Sequence, residues 1–207
     1  MRILVFSDVH LDITRRIEDT VASLDFLRQE AISRKVDGIW ILGDVYTSRR
    51  PHTKEKSAFQ KWVKSILDVG ISLTLLRGNH DEYPDGTHSY EELEIFKLPV
   101  SVVRGPYVYG DVYLDHTLLI GSQLGNSGYR SETGDNLRNI VNNNPDCKAF
   151  LFGDVHKFQI MRKTPLCMYC GSVAKVDFSE YRDTKFCHVV TMREKKFESI
   201  EHVRSRS

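Results

Sequence analysis

Four short apolar runs in this chain each stop at a carboxylate, an imidazole or a carboxamide. Ile3 to Phe6 runs into Ser7-Asp8-Val9-His10, and Ile39 to Leu42 into Gly43-Asp44. Ile71 to Leu76 ends at Arg77-Gly78-Asn79-His80-Asp81, and Ala149 to Phe152 at Gly153-Asp154-Val155-His156. A carboxylate and an imidazole two residues apart, just past a strand end, can turn toward one ion. Mixed oxygen and nitrogen ligands suit manganese, iron or zinc better than calcium. A carboxylate such as Asp44 has two oxygens and can bridge two ions. Ions held about 3.5–4 Å apart clamp a phosphoryl oxygen and activate water. Asn79 offers a neutral oxygen ligand, and His80 beside it is placed to reach a substrate instead of the metal. Taken singly, each residue has a plainer reading. An Asp after a strand more often caps a helix, and a lone His is more often a satisfied core or surface residue. Four strand ends repeat the coincidence four times, which favours a metal site.

The elements between these runs explain how the clusters come together. Ile17, Val21, Leu24, Leu27 and Ile32 recur at helical spacing, and Phe59, Val63, Ile66 and Leu67 do so within Lys54 to Val69. Strand, helix, strand, helix, strand is the pattern of a parallel, buried sheet. The functional crevice of such a sheet lies outside the carboxyl ends of its strands, so the polar loops converge on one edge. Further on, Tyr107 to Leu124 alternates like antiparallel hairpin strands, broken at Gly105-Pro106 and Gly110-Asp111. A short helix is expected near Leu137 to Val141. Thr164 to Val176 and Phe186 to Met192 read as strands, and Arg193 to Arg206 as a last strand with a frayed end. No repeat or linker interrupts the chain, so 1–207 is expected to form one domain.

Composition narrows the class without choosing a substrate. The 207 residues are 41% apolar and 28% charged, as in ordinary globular proteins. No apolar run approaches the ~18–20 residues of a membrane span. The N-terminus meets Asp8 too soon for an export signal. A cytoplasmic protein with no membrane partner is expected. With 29 basic and 28 acidic residues the net charge is +1, which neither demands nor excludes a polyanion. The four cysteines are expected to be reduced. Cys167 and Cys170 have zinc-knuckle spacing, but no second pair completes a site, and residues three apart on a strand face opposite ways. The basic pairs Arg15-Arg16, Arg49-Arg50 and Arg162-Lys163 can hold a nucleic-acid backbone, or can equally be solvated surface.

Asp8-Val9-His10, Gly43-Asp44, Gly78-Asn79-His80-Asp81 and Gly153-Asp154-Val155-His156 resemble, in order and spacing, the signature motifs of the calcineurin-like metallophosphoesterases. The resemblance spans residues 1 to about 192. Gly43-Asp44-Val45-Tyr46 leading to Arg49-Arg50-Pro51 resembles, more narrowly, the SbcCD-type (double-strand-break repair) nuclease subunits. So does Tyr169-Cys170-Gly171-Ser172 leading to Val176-Asp177-Phe178-Ser179-Glu180. The resemblance implies an α/β fold, a four-layer α/β/β/α sandwich, and one or two divalent ions per chain. Manganese is the implied metal, with magnesium or iron as alternatives. Asp8, His10, Asp44 and His156 would hold the first ion, and Asp44 and Asn79 would serve the second. His80 would protonate the leaving oxygen or stabilise charge on the phosphorane; the adjacent Asp81 is, separately, expected to hold its ring. The implied activity is phosphodiester cleavage in nucleic acid, chiefly DNA.

Two ligands of the second ion depart from the pattern. The family usually ends in Gly-His-x-His, and here the first of those histidines is Asp154. The family's lone strand-end His has no counterpart in Leu118 to Leu124; the nearest, His116, is read as lying at the wrong end of its strand. Asp154 remains a candidate ligand whose harder oxygen favours manganese or magnesium. Three outcomes follow, ranked in this order: an active enzyme with an altered second site, a slower one-metal enzyme, and a relative that binds without cutting. A small-molecule or protein phosphatase on the same scaffold is the rival enzyme. Few residues follow Ser172, so a stable complex with a coiled-coil ATPase is not expected.

Overall fold

In the computed structural model, which describes every residue except 16, 96, 126, 127, 206 and 207, Arg2–Phe6 form a strand, β1, buried on both faces. Helix α1 (Ile17–Ser33), β2 (Gly38–Leu42), α2 (Thr53–Leu67) and β3 (Ser72–Leu76) follow. Next come α3 (Glu91–Ile95), β4 (Val100–Val103), β5 (Tyr107–Tyr109), β6 (Val112–His116), α4 (Leu137–Asn143) and β7 (Ala149–Gly153). The chain closes with β8 (Gln159–Lys163), β9 (Leu166–Tyr169), β10 (Phe186–Arg193) and β11 (Lys196–Arg204). One sheet has the order β11-β10-β1-β2-β3-β4 and the other β5-β6-β7-β9-β8. The pairs β1–β2, β2–β3 and β3–β4 are parallel, as are β6–β7 and β7–β9.

Period-two alternation sorts the strand residues into separate cores. Leu4, Phe6, Ile39 and Ile41 pack beneath α1 and α2 with Leu24, Leu27, Phe59 and Val63. Their strand neighbours Ile3, Val5, Trp40 and Leu42 meet Ala149 and Leu151 of the second sheet. Phe150 and Phe152 turn outward with Tyr113 and Tyr169 against Leu137, Ile140 and Val141 of α4. Three apolar layers require four structural ones, so the α/β/β/α sandwich follows from the packing. Val5, Leu42 and Leu151 have no exposed surface, and each stabilises the fold by about 1.5–3 kcal/mol. Cys167 and Cys170 fall in different cores, and all four cysteines are free and buried.

Helix α2 starts where the site needs an anchor. The His52 side chain accepts from the Lys54 N–H, and Glu55 Oε2 accepts from the His52 N–H at 2.7 Å. The other Glu55 oxygen accepts from the Ile13 N–H at 2.6 Å. One buried carboxylate thus caps the helix and pins the loop after Asp8 and His10. Beneath that loop, Tyr46, Phe59, Trp62 and Tyr90 form an aromatic cluster.

Several element boundaries differ from the sequence reading, each for a physical reason. The hairpin strand stops at His116, because residues 117–124 leave the sheet and bond to residues 129–135 instead. Within Thr164 to Val176 only Leu166–Tyr169 is strand; Thr164 and Pro165 form the turn from β8. Strands β4 and β8 sit at sheet edges and are partly exposed, and Ser101 in β4 and Gln159, Arg162 and Lys163 in β8 interrupt their apolar residues. The expected final strand is present as β11.

A candidate metal centre at the strand ends

The loops after β1 and β2 continue the backbone ladder past the sheet. Asp8 N–H donates to Gly43 C=O at 3.1 Å, His10 N–H to Asp44 C=O at 3.1 Å, and Leu11 N–H to Val45 C=O at 2.8 Å. Asp8, His10, Asp44 and Asp154 all hold positive φ, between 50° and 86°. Side chains avoid this region, and strain of this kind concentrates at functional sites. The loop after β3 is tied in by Asp81, whose Oδ2 accepts from the Asp44 N–H at 2.7 Å and the Gly78 N–H at 2.9 Å. The loop after β7 joins through the Asp154 N–H, 3.3 Å from both Asp8 oxygens. Gly78 has no room for a side chain, because a Cβ there would lie 2.1 Å from Asp44 Oδ1.

Two clusters result. Ligand atoms of Asp8, His10 and His156 lie within 4.8 Å of one another, as do those of Asp8, Asp44 and His116. Asn79 Oδ1 is 3.0 Å from His116 Nε2, and Asp154 Oδ1 is 3.7 Å from it. All seven sequence-derived site residues therefore gather at one rim. His116 joins them, against the expectation that it lay at the wrong end of its strand. Strand β6 runs parallel to β7 with His116 opposite Gly153, so its carboxyl end is at the same rim. The ring fits because Gly43 and Gly153 leave a slot: a Cβ at either would lie 2.3 or 2.6 Å from His116 Nδ1. The sequence did carry a signal. Val112-Tyr113-Leu114 is a further apolar run ending in a carboxylate and an imidazole.

The hydrogen bonds fix which nitrogen each imidazole offers. His116 Nδ1 donates to the Leu42 carbonyl at 2.6 Å, leaving Nε2 to face Asp44 Oδ2 at 3.4 Å. His156 Nδ1 donates to Glu180 Oε1 at 2.7 Å, leaving Nε2 only 3.0 Å from His10 Nε2. His80 Nδ1 donates to the Thr47 carbonyl at 2.7 Å, while its backbone N–H reaches Asp44 Oδ1 at 3.0 Å. The role expected of Asp81 therefore belongs to Thr47. Asp81 turns away from the His80 ring and organises the loop backbone.

The charged groups facing Asp8 and Asp44 are carboxylates and imidazoles. No lysine or arginine pairs with Asp8 or Asp44 among the described residues. Burial raises the Asp8 carboxyl. Burial also pushes Asp44 up, but His116 and His10 outweigh it and hold Asp44 below the ordinary value. The same carboxylates overcome burial at His116 and lift it to about 10. Burial and the neighbouring His156 push His10 down to about 3. Its Nδ1 is buried and has no hydrogen-bond partner among the described residues. Buried carboxylates without a basic residue, and imidazole nitrogens fixed toward them, make a donor set that fits divalent cations.

Glu180, which has no role assigned from its sequence motif, holds His156 from behind. Its Oε2 accepts from Lys185 Nζ at 2.7 Å and from the Val176 N–H at 2.9 Å, and Glu180 and Lys185 are both buried. Burial pushes the Glu180 carboxyl up, but His156 and Lys185 outweigh it and bring it to about 2. A carboxylate behind a ligating histidine fixes the ring and raises its basicity, with 10- to 100-fold effects on metal affinity. Glu180→Gln is expected to weaken manganese binding by about that factor, measured by isothermal titration. Unchanged affinity would remove the assignment. Since the folded carboxyl lies near 2 against an ordinary 4.5, its stabilisation is present above pH 4.5 and is lost as pH falls toward 2. Urea midpoints of the metal-free variant should lack that acid limb.

Arg49 Nε donates to the Asn79 carbonyl at 3.0 Å, which brings its guanidinium to the same rim. Arg162 and Lys163 lie on edge strand β8. Arg15 is exposed, and Arg16 lies outside the described residues.

A sequence model of the calcineurin-like phosphoesterases matches residues 1–158. The chain is 24% identical to the SbcD component of the Escherichia coli K12 nuclease SbcCD over an alignment 271 positions long with gaps, covering 98% of this chain and 68% of that protein. It is 28% identical over 121 residues to the DNA double-strand break repair protein Mre11 of Sulfurisphaera tokodaii, covering 54% of this chain and 31% of that one. Among solved structures, Pseudomonas putida nuclease MPE superposes with a TM-score of 0.53 at 17% identity, over 90% of this chain and 83% of its own. The E. coli phosphoesterase Yfce does so with a TM-score of 0.51 at 14% identity, over 97% and 98%. These two show a shared fold. No helix among the described residues is long and apolar enough to cross a membrane.

Proposed function

Because this chain belongs to the calcineurin-like phosphoesterase family, we propose that it is a two-metal phosphodiesterase acting on DNA. The observation that carries this reading is the meeting of two ligand clusters at Asp8, with Asp44 beside it. Asp8, His10, Asp44 and His156 would hold one ion; Asp44, Asn79, Asp154 and His116 would hold the other. When bound, the ions supply positive charge for a phosphodiester and acidify water. The protein's own groups do the rest. His80 Nε2 gives a proton to the leaving oxygen, and Arg49 steadies the phosphate. Asp154 makes the second set three oxygens and one nitrogen, which favours manganese or magnesium. Nucleic acid is preferred over small monoesters because the relatives quoted above include a nuclease component and a DNA repair protein.

The test is metal content by mass spectrometry, with manganese-dependent turnover of bis-p-nitrophenyl phosphate, p-nitrophenyl phosphate and labelled DNA. Diester and DNA cleavage with two ions per chain is the expected result. Monoester cleavage alone would reassign the protein as a phosphatase, and DNA binding without turnover would make it a binding module. The Asp154→His variant is expected to shift the preferred metal toward softer ions. An unchanged metal profile removes Asp154 from the ligand set.

A further inference from the structure

The segment that carries Glu180 continues onto a second surface. Tyr181 is 61% exposed, and the Arg182 guanidinium lies 5.0 Å from its ring centroid. Lys175, Arg182 and Arg204 are exposed and, with Tyr181, Thr184 and Ser205, line a cavity of about 550 Å³. None of these three cations is ion-paired among the described residues. Asp183, the carboxylate of this wall, faces Lys185 at 3.8 Å. In a chain of net charge +1, this is a local concentration of unbalanced positive charge. Lys185 also lines the cavity, and its Nζ lies 3.2 Å from the His156 carbonyl and 2.7 Å from Glu180 Oε2. Lys185 and Glu180 therefore join the wall of the cavity to His156 of the metal centre.

An exposed ring flanked by cations matches a particular ligand chemistry. Unstacked bases lie on aromatic faces while their phosphates meet Lys and Arg, and such binding tolerates any sequence. A duplex keeps its bases stacked and offers no free face. We propose that the Tyr181 surface binds single-stranded nucleic acid beside the metal centre, with a base on Tyr181 and phosphates on Lys175, Arg182 and Arg204. Its position as a track leading to the scissile phosphate rests on the phosphodiesterase reading; the binding itself does not.

The experiment is fluorescence anisotropy with a labelled oligothymidylate and, separately, a blunt duplex, in EDTA so that metal plays no part. Tyr181→Ala is expected to weaken oligothymidylate binding about 5- to 100-fold, and Tyr181→Phe to restore it. Replacing Lys175, Arg182 and Arg204 together by Gln should lower the slope of log affinity against log salt by about 2. Turnover of bis-p-nitrophenyl phosphate, which carries neither a nucleobase nor a second phosphate for this surface, should be unchanged in Tyr181→Ala. Oligothymidylate binding that is absent in the unaltered protein, or equal in all variants, overturns the proposal. A Tyr181 effect on binding in a protein that cleaves no diester would support the surface and sink the phosphodiesterase reading instead.

Discussion

His80→Ala is expected to lower bis-p-nitrophenyl phosphate turnover about 100- to 10,000-fold and to leave the bound manganese intact. The Thr47 carbonyl can only accept, so His80 Nδ1 keeps its hydrogen and Nε2 is the atom that gives or takes a proton. The contact between His80 and Asp44 is made by the backbone N–H, which alanine retains. Asp44 therefore keeps its orientation, and the variant separates proton transfer from metal binding. The choice of substrate sharpens the test. A sugar hydroxyl is a far more basic leaving group than p-nitrophenolate and needs its proton more, so the loss should be larger on DNA. Equal losses on both substrates would assign His80 to charge stabilisation at the phosphorane. A variant that loses manganese in parallel with activity would make His80 part of the ligand shell and remove it as the acid.

The residues legible in the sequence are those whose placement is decided locally. Asp8, Asp44, Asn79 and His156 follow uninterrupted apolar runs, and parallel strands bring every such end to one rim. His116 obeys the same rule, yet its position depends on where β6 stops and on its parallel pairing with β7. Both are non-local, and the alternation of residues 117–124 mimicked more strand. Asp81 was misread for a related reason. Adjacency to His80 suggested a pair, but a residue buried beneath a loop serves the backbone around it. Its carboxyl, pushed up to about 7 by burial and by Asp44, takes two N–H donors across the loop. Glu180 lies 24 residues from His156, and nothing in that spacing announces the contact. The layered fold was easier to read, because the central strands are apolar on both faces. Edge strands β4 and β8 were missed because they are partly exposed and polar residues interrupt their apolar ones.

Asp154 departs from the family pattern, and in the proposed two-ion site His116 is the residue on which the second ion depends. His116→Ala should bind one ion per chain in place of two and turn over diesters about 100-fold more slowly or worse. The ring's Nε2 is the nitrogen aimed at Asp44, Asn79 and Asp154; without it only oxygens remain, one of them on the exposed Asn79. The metal-free protein provides a second readout. There His116, lifted to about 10 by Asp44 and Asp8, is the cation that balances two buried carboxylates. A histidine raised in the folded state stabilises fully below its ordinary value of 6.5 and loses that contribution as pH rises toward 10. The metal-free unaltered protein should therefore lose thermal stability across that window. His116→Ala should be less stable by about 3–5 kcal/mol at neutral pH and should show no such limb. Two ions retained with near-normal turnover would take His116 out of the site. A flat alkaline profile in the unaltered protein would do the same for its charge balance with Asp8 and Asp44.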